Sequence, residues 1–469
     1  MSAAVTVPLW LAIAVGLLAV WALYARIMAP SLRWYLRRRA NRVLDEVGSR
    51  LHLEIRPFQR TRREALIDVL VYDARVQEAA AAHARAHDEP RELVTQRVRH
   101  YAAEIVPAFN AYFYFRIGYS IGRRLTRSLY RVRIGYSDRA GLARVPANAT
   151  VAFVMNHRSN MDYILAAYLA ADQAALSYAV GEWARIWPLQ QLIRAMGAYF
   201  VRRNSHDDLY RRVLERYIVM ATEAGVTQAI YPEGGLSRDG RMQAPKLGAL
   251  DYMVRGFRPD GERDLVFIPL GINYDRVLED RTLLADLDPQ ARRPSAVRAA
   301  ARTLGFVLHQ AVLVLRSEWK CFGYACVNFG TPISMREYVA ARGIDFRALG
   351  KDERFARIGE LGRHLMDAVA GLIPVLPVPL VATVFLQASG APLAPIEIKS
   401  RVEALAARLE AAGAQVYVPQ RDRDYALTAG LQMLQLRRLV QEADGLYRAP
   451  PAALPLLRYY ANSIAHLVG

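Results

Sequence analysis

Cysteine is nearly absent from this chain of 469 residues, which contains only Cys321 and Cys326. Two cysteines five positions apart cannot form a disulfide framework and do not match the spacing of a zinc site, so we expect two ordinary, partly buried thiols. A glycine-rich phosphate-binding loop and an internal repeat of solenoid period are also missing. These absences argue against a disulfide-rich secreted protein, a P-loop protein and a repeat protein, and they predict no metal site.

Lysine is scarce as well, and nearly all of the 62 basic residues are arginines. They outnumber the 44 acidic residues and give a formal net charge of +18, while 53% of the chain is hydrophobic. The positive charge predicts an anionic partner, which could be nucleic acid, an acidic membrane or a phosphorylated substrate. Arginine suits phosphate because its planar guanidinium group offers paired donors at fixed geometry.

An uncharged apolar segment spans residues 7–25, and no basic residue precedes it. Its 19 residues would form a helix about 28 Å long, close to the hydrocarbon thickness of a bilayer. Five arginines follow between residues 26 and 39 and predict that the rest of the chain lies on the cytoplasmic face, as on a bacterial inner membrane. The missing basic start argues against a cleaved signal peptide. A buried core helix is the alternative.

Two further segments raise the question of membrane contact. Residues 101–135 concentrate aromatic residues and then arginines, which suits a helix at an anionic membrane surface. The same mixture could bind nucleic acid or form an amphipathic core helix. Residues 368–396 are uncharged but contain five prolines, which argue against a regular transmembrane helix. We expect a hydrophobic wall or a membrane-contacting segment there.

Three short apolar runs, residues 150–156, 227–232 and 265–274, predict buried strands. Helical stretches such as residues 161–171 separate them. This alternation predicts an α/β fold with a mixed, largely parallel sheet flanked by helices. The predicted organisation is an anchor at 1–30, a helical region with a membrane-interface segment at 31–135, the main α/β domain at 136–385 and a small helical domain at 386–469.

The polar sequence after the first predicted strand contains His157 and Asp162. On a continuous α-helix two residues at this spacing point about 140° apart, so they can meet only if residues 158–160 form a turn. The carboxylate could then bind one imidazole nitrogen and leave the other to act as a general base on an alcohol. Alternatively, Ser159 and Asp162 form an acidic capping box, and His157 is an ordinary loop histidine.

Three more segments, residues 197–203, 231–246 and 267–277, contain basic side chains together with glycine or proline. Adjacent glycines let the backbone approach a ligand closely, and the basic side chains around them would form an anion pocket. Taken singly, each segment has a simpler explanation. The arginine pair could be an exposed turn, the two glycines only a turn, and Glu233 a helix cap.

In this order and spacing the four segments resemble the motifs of the glycerolipid acyltransferase superfamily, and more narrowly its glycerol-3-phosphate acyltransferase family in the long bacterial and mitochondrial-type form. His157 and Asp162 match the first motif, residues 197–203 the second, residues 233–241 the third, and Pro269 with residues 274–277 the fourth. Residues 376–385 and 456–467 are similar to later parts of these enzymes. Leu236 departs from the pattern, because the family commonly has arginine there.

The resemblance implies transfer of a fatty acyl group from acyl-CoA or acyl-carrier-protein to the first hydroxyl of glycerol 3-phosphate at a phospholipid membrane. It implies His157 as general base, Asp162 as its orienting partner and Pro269 as a residue that positions the acyl donor, with no cofactor, no metal and no covalent acyl-enzyme. The residues implied for the phosphate and the acceptor are Arg202, Arg203, Glu233, Gly234, Gly235, Ser237, Arg238, Arg241 and Lys246.

Other functions remain compatible with the sequence. The same chemistry could act on dihydroxyacetone phosphate or on lysophosphatidate. A protein of a different class would be a catalytically silent membrane protein that binds anionic lipid or acyl carrier protein through its arginines. Nucleic-acid binding rests on charge alone and has no recognition motif, so we expect no nucleic-acid partner.

Overall fold

The computed structural model describes residues 56–110, 113–170, 176–181, 189–202, 205–287 and 322–468. The predicted anchor and Cys321 lie outside these ranges. Within the described ranges, no helix combines the length and the apolar character needed to span a bilayer. Cys326 is fully buried, and burial raises the pKa of its thiol to about 12.

Among the described residues, a mixed sheet of eight strands forms the centre of the molecule, and a separate hairpin lies near the C-terminus. The strands are β1 (Arg131–Ser137), β2 (Thr150–Met155), β3 (Ser177–Val180), β4 (Tyr199–Phe200), β5 (Gln228–Ile230), β6 (Leu265–Tyr274), β7 (Tyr324–Phe329), β8 (Ile333–Ser334) and the hairpin strands β9 (Gln441–Ala443) and β10 (Leu446–Arg448). The sheet order is β1-β7-β6-β2-β5-β3-β4, and β8 also pairs with β6. Strands β2 to β6 run parallel, whereas β7 and β8 are antiparallel to β6. The predicted largely parallel α/β sheet is confirmed.

Helices connect and cover the strands. The described α-helices are α1 (Pro57–Arg60), α2 (Arg63–Val71), α3 (Ala74–His87), α4 (Arg91–Ile105), α5 (Tyr119–Leu129), α6 (Arg139–Ala143), α7 (Met161–Ala170), α8 (Leu189–Ala195), α9 (Asp208–Glu223), α10 (Gly248–Val254), α11 (Asp280–Ala285), α12 (Met335–Arg342), α13 (Lys351–Leu372), α14 (Pro377–Gln387), α15 (Pro395–Ala411), α16 (Arg423–Leu436), α17 (Leu454–Asn462) and α18 (Ala465–Val468). One turn of π-helix, Phe113–Gly118, precedes α5.

Hydrophobic cores lie on both faces of the sheet, which explains why its central strands are continuous apolar runs. Along β6, Val266 and Ile268 belong to one core, whereas Leu265 and Phe267 belong to the other. This division follows from the alternation of side chains along a strand. Helices α2, α3, α4, α9 and α13 contribute to the core around Phe267, and α7, α14 and α17 contribute to the core around Ile268.

The middle of the proline-containing segment at 368–396 is part of the protein interior. Helix α14 begins with Pro377 in its first turn, where a helix does not need the N–H group that proline lacks. Every residue from Pro377 to Phe385 is buried. The expected hydrophobic wall is therefore confirmed for these residues, because their side chains pack against the protein. Membrane contact by the rest of the segment stays a prediction.

One aromatic residue of the predicted membrane-interface segment is also internal. Tyr114 is 1% exposed, and its ring centroid lies 5.8 Å from that of Phe109. Its hydroxyl accepts a hydrogen bond from the Leu176 N–H at 3.3 Å. Tyr114 therefore stabilises the fold and is not part of the protein surface.

Candidate active site

The carboxyl ends of the parallel strands bring the sequence motifs to one edge of the sheet, the usual position of ligand sites in such sheets. Strand β2 ends at Met155, and the side chain of Asn156 then exchanges two hydrogen bonds of 2.8 Å with the backbone of Ile272 on β6. This exchange fixes the point at which the chain leaves the sheet. Residues 157–160 form the predicted turn, and α7 begins at Met161.

The turn is closed by the carboxylate of Asp162, which is fully buried. Its Oδ2 accepts hydrogen bonds from the backbone N–H groups of Arg158 at 2.7 Å and Ser159 at 3.0 Å. The same oxygen lies 3.0 Å from Nδ1 of His157. The expected meeting of the two side chains across a turn is confirmed. Because an ionised carboxylate only accepts, Nδ1 carries the proton and Nε2 of the neutral ring keeps a lone pair.

The other carboxylate oxygen of Asp162 is held from strand β6. The hydroxyl of Tyr274 donates to Oδ1 at 2.6 Å. Burial, followed by the nearby charge of Asp162, raises the pKa of the Tyr274 phenol well above its ordinary value, so it remains a donor. Tyr274 lies in the fourth sequence motif, and this contact ties that motif to the first one.

Glu233 joins the loop after β5 to the histidine. Its Oε1 accepts from the N–H of His157 and its Oε2 from the N–H of Gln243, each at 2.8 Å. The N–H of Ser237 donates in turn to the carbonyl of His157 at 2.9 Å. Burial raises the pKa of Glu233 to about 7. Glu233 therefore fixes the backbone of the histidine, and it does not line the cavity described below.

We expect Glu233→Gln to lower the free energy of unfolding by roughly 1–3 kcal/mol, because glutamine has one acceptor oxygen for two buried N–H donors. The pKa of Glu233 in the folded protein, about 7, lies above its ordinary value of 4.5. The stability that this group contributes is thus present below pH 4.5 and is lost as the pH rises through about 7. The unfolding free energy of the variant, measured by chemical denaturation between pH 4.5 and about 7, should not show this dependence on pH. Glu262→Gln, an exposed carboxylate, is the matched control.

A cavity of about 330 Å³ opens beside His157 at the carboxyl ends of β3, β4 and β5. Most of its lining is apolar or aromatic. Apolar residues in the lining include Val180, Val201, Leu214, Ile218, Ile230 and Leu250. The charged or polar groups that join them include His157, Arg202, Arg211 and Lys246. The cavity can therefore take a molecule with an apolar chain and an anionic group.

The imidazole of His157 is fixed between aromatic rings at this cavity. Its ring centroid lies 4.2 Å from that of Tyr231, and the two planes are 32° apart. Nε2 lies 3.3 Å from the hydroxyl of Tyr163, the first residue after Asp162. His157, Tyr163 and Tyr231 all line the cavity. In the free protein the Nε2 atom of His157 is therefore contacted by the Tyr163 hydroxyl, beside the cavity that both residues line.

The structure brings some of the expected phosphate ligands to the cavity and not others. Lys246 lines it, and its side chain passes over Gly234, where a Cβ atom would lie 2.6 Å from Cδ of the lysine. Gly234 also has a positive φ of 68°. Both the nearby lysine side chain and the backbone conformation therefore favour glycine at this position. Arg238 and Arg241 are exposed on the loop and are not among the lining residues.

Arg202 lines the cavity but already has an anionic partner. Its guanidinium binds Glu104 through two hydrogen bonds of 2.9 and 2.6 Å. It lies 5.0 Å from each ring centroid of Tyr101 and Tyr210, and the hydrogen bonds to Glu104 raise its pKa. The sequence did not reveal this pair, because Glu104 precedes Arg202 by almost a hundred residues. Arg203 lies outside the described residues.

The remaining expected site residues have structural surroundings. Ser237 donates its hydroxyl to the carbonyl of Arg241 at 2.6 Å, and Gly235 is half-buried in the same loop. Pro269 is buried in the middle of β6, opposite Val154, and its carbonyl accepts from the N–H of Gly330 at 2.9 Å. It does not line the cavity. The proposed roles of these residues stay predictions.

Helix α17, near the C-terminus, packs against the turn after β2 and the loop after β5. The guanidinium of Arg158, 3% exposed, stacks on the ring of Tyr459 at 4.8 Å and donates to the carbonyl of Gly240. Asn462 donates its amide to the carbonyl of Asp239 at 2.8 Å. Sequence reasoning missed these contacts, although Arg158 stands inside the first motif. The His157–Asp162 turn, the loop after β5 and helix α17 therefore pack together.

Comparison with known proteins gives two family matches that follow one another along the chain. Residues 139–273 match the acyltransferase family, and residues 310–468 match the glycerol-3-phosphate acyltransferase C-terminal region. The first match contains the His157–Asp162 turn and the loop after β5. The second contains α17, so the weaker resemblance in the tail of the sequence is confirmed.

Curated relatives agree with these matches. The chain is 30% identical to the glycerol-3-phosphate acyltransferase of Pseudomonas fluorescens, over 70% of this chain and 39% of the relative. It is 27% identical to that of Ectopseudomonas mendocina, over 86% of this chain and 49% of the relative. The chain thus spans about half the length, or less, of the curated relatives it matches.

Among solved structures, the 1-acyl-sn-glycerophosphate acyltransferase of Thermotoga maritima matches at 17% identity and a TM-score of 0.31, over 54% of this chain and 78% of that one. This likeness is too weak to support an argument. The two family matches and the curated relatives show that the chain is similar to glycerol-3-phosphate acyltransferases over residues 139–273 and 310–468.

Proposed function

We propose that the protein transfers a fatty acyl group from acyl-CoA or acyl-carrier-protein to the first hydroxyl of glycerol 3-phosphate, giving 1-acyl-glycerol 3-phosphate. The observation that carries this proposal is the position of His157, paired with Asp162, at a mostly apolar cavity that Lys246 also lines. The apolar part suits an acyl chain, and the ammonium group suits a phosphate. The activity named for the curated relatives agrees with it.

In the proposed reaction the acceptor hydroxyl donates to Nε2 of His157. As its oxygen forms a bond to the thioester carbonyl carbon, the proton moves to Nε2, and the Asp162 carboxylate stabilises the imidazolium ion. The tetrahedral intermediate then breaks its C–S bond, and the leaving thiolate takes the proton back from His157. A thioester is already activated, so this sequence requires two bound substrates and one base. It requires neither a cofactor nor a covalent acyl-enzyme.

Lys246 is the proposed phosphate ligand in the cavity. We expect Lys246→Ala to raise KM for glycerol 3-phosphate by roughly 10- to 100-fold, because a hydrogen bond to a charged group contributes about 1.5–3 kcal/mol. The maximal rate should change less, since the phosphate is bound equally in ground and transition states. Steady-state kinetics with varied acceptor measure this. Lys351→Ala removes an exposed lysine at the start of α13 as a control. An unaltered KM in Lys246→Ala would remove the lysine from the acceptor site.

The acceptor is tested with a panel of substrates. Purified full-length protein in lipid vesicles is given labelled acyl-CoA or acyl-carrier-protein together with glycerol 3-phosphate, dihydroxyacetone phosphate or lysophosphatidate. The proposal predicts the highest kcat/KM with glycerol 3-phosphate. A preference for either other acceptor would reassign the substrate, and transfer to none of them would favour the silent lipid-binding protein.

We also propose that helix α5 contacts an anionic membrane to which residues 1–30 anchor the chain. On α5, Ile121 is 51% and Leu125 39% exposed, and arginines 123, 124 and 127 are exposed around them. Apolar side chains beside cations are what an interfacial helix presents to anionic lipid. The helix approaches α7 closely, because a Cβ atom on Gly122 would lie 3.3 Å from Ile164.

A polarity-sensitive fluorophore on α5 tests this contact. It is attached to Ser128→Cys in a Cys321→Ser background, and the protein is placed in vesicles with or without anionic lipid. We expect a blue shift of the emission only with anionic lipid. The shift should disappear when arginines 123, 124 and 127 are replaced by glutamate, because each basic residue contributes ~1 kcal/mol to the attraction to an anionic surface. The matched control reverses the exposed arginines 75, 85 and 91 on α3 and α4. Equal emission in both lipids would contradict the proposal.

A further inference from the structure

The tetrahedral intermediate of acyl transfer carries a negative oxygen, which needs a hydrogen-bond donor. The backbone N–H groups of the catalytic turn are the first candidates, because they lie next to the general base. The six N–H groups of residues 157–162 all donate hydrogen bonds within the protein. In chain order, the first donates to the Glu233 carboxylate, the next two to the Asp162 carboxylate and the fourth to the Glu279 carboxylate. The last two donate to the hydroxyl and the carbonyl of Ser159. The turn is therefore organised to hold His157 and Asp162, and its N–H groups are engaged.

The loop after β5 shows the same pattern at the points nearest to the histidine. The N–H of Gly234 donates to the carbonyl of Tyr231 at 2.9 Å, and the N–H of Ser237 donates to the carbonyl of His157 at 2.9 Å. These bonds shape the loop around the cavity. The side chains that line the cavity beside His157 are the next candidates for an oxyanion donor.

Tyr163 provides such a donor. Its hydroxyl lies 3.3 Å from Nε2 of His157, and its ring lines the cavity. The acceptor hydroxyl must lie within hydrogen-bond distance of the same Nε2. The thioester carbonyl carbon must lie next to the acceptor oxygen, because the new bond forms between these two atoms. A group 3.3 Å from Nε2 is thus close to the place where the carbonyl oxygen becomes negative.

The position of the Tyr163 ring is fixed by its neighbours. It stacks on Tyr178 of β3 at 5.2 Å and 29°, and its edge meets Tyr231 at 4.9 Å and 69°. The ring of His157 lies 5.2 Å away at 80°. Only 8% of Tyr163 is exposed. A donor held in place in this way needs little reorganisation when the charge develops, which is the condition for effective electrostatic catalysis.

We propose that Tyr163 is a catalytic residue whose phenol donates a hydrogen bond to the thioester carbonyl oxygen as that oxygen becomes negative. The inference rests on the proposed acyl transfer. In the free protein the phenol contacts Nε2; when the acceptor hydroxyl takes that position, the phenol donates to the carbonyl oxygen instead. It keeps its own proton throughout, while the acceptor's proton moves to Nε2 and later to the leaving thiolate.

The test is Tyr163→Phe, which retains the packed ring and removes only the hydroxyl. We expect kcat to fall by ~10²–10³-fold, the usual effect of removing one oxyanion donor, and KM for the acceptor to change by less than ~3-fold, because the interaction exists only in the transition state. Tyr217→Phe removes another buried phenol that does not line the cavity, and it should retain wild-type kinetics. An unchanged or higher kcat in Tyr163→Phe would mean that the phenol merely occupies Nε2, and would overturn the proposal.

A second series separates hydrogen bonding from packing. Fluorinated tyrosines installed at position 163 keep the ring and make the phenol a stronger donor, so transfer should equal or exceed the wild-type rate. A rate that falls alike with phenylalanine and with the fluorinated residues would assign the loss to packing and contradict the proposal. Wild type and His157→Ala are measured alongside. Absence of acyl transfer by wild type would contradict the proposed function itself. An active wild type together with a fully active Tyr163→Phe would contradict only this inference.

Discussion

Replacing His157 by alanine is expected to lower kcat for acyl transfer by at least ~10²-fold, the usual contribution of a general base. The variant should remain folded. After the substitution, Asp162 still accepts hydrogen bonds from the N–H groups of Arg158 and Ser159 and from the hydroxyl of Tyr274. The buried carboxylate is therefore not left without partners, which would otherwise be the main source of instability.

The measurement is the initial rate with saturating acyl donor and acceptor, accompanied by thermal unfolding of the same preparations. His100→Ala, an exposed histidine on α4, is the matched control and should keep the wild-type rate. Near-normal turnover of His157→Ala would refute the assignment of the base. A large loss of rate with a large loss of thermal stability would call for His157→Gln, which retains more of the packing against Tyr231.

The second large effect is expected for Asp162→Asn, with kcat lower by roughly 10²- to 10⁴-fold. The N–H groups of Arg158 and Ser159 need an oxygen where Oδ2 now lies, so the amide oxygen should take that place and still accept from Nδ1 of His157. The amide nitrogen would then face the Tyr274 hydroxyl, which can turn to accept. The tautomer is thus preserved, and the loss comes from the missing negative charge beside the imidazolium ion.

Asp275→Asn distinguishes this effect from simple destabilisation. Asp275 is also buried and also accepts from two backbone N–H groups, those of Tyr324 and Val378, but it does not contact the histidine. Burial raises its pKa to about 6. We expect Asp275→Asn to lower the unfolding free energy while retaining turnover. If Asp162→Asn retained more than a tenth of the wild-type kcat, the carboxylate charge would have no major role.

Much of the α/β fold could be predicted from the sequence, because its central strands are buried on both faces. A strand covered on both sides is apolar at nearly every position, so β2 and β6 appear as almost continuous apolar runs with sharp ends. The turn between β2 and α7 could also be predicted, since His157 and Asp162 meet only if the polar residues between them leave helical geometry. Local sequence was sufficient in both cases.

What the sequence did not reveal depends on contacts between distant parts of the chain. The positive charge of Arg202 was expected to face a phosphate, but it is paired with Glu104 from α4. The apolar stretch that includes Pro377 could have packed against lipid or protein, and only the folded chain shows that α16 and α17 cover it. The placement of the Tyr163 hydroxyl at Nε2 likewise depends on rings from β3 and the loop after β5.

The contacts of the C-terminal region with the rest of the chain are seen in the structure and were not predicted from the sequence. Residues 310–468 match a family region of their own, yet α17 contacts the His157–Asp162 turn through Arg158 and Tyr459. The hydroxyl of Tyr460 further accepts from the N–H of Val277, close to the end of β6. The helix thus contacts segments from the first, third and fourth motifs. It helps to hold together loops that are far apart in the chain.

The central claim is that Nε2 of His157, held by Asp162, removes the proton of an alcohol that attacks a thioester. Single-turnover transfer of a labelled acyl group to glycerol 3-phosphate tests it most directly, with enzyme in excess so that substrate affinity and product release do not set the rate. The account predicts rapid product formation by wild type and by His100→Ala, and a chemical step at least ~10²-fold slower in His157→Ala. A wild-type chemical step in His157→Ala would contradict it.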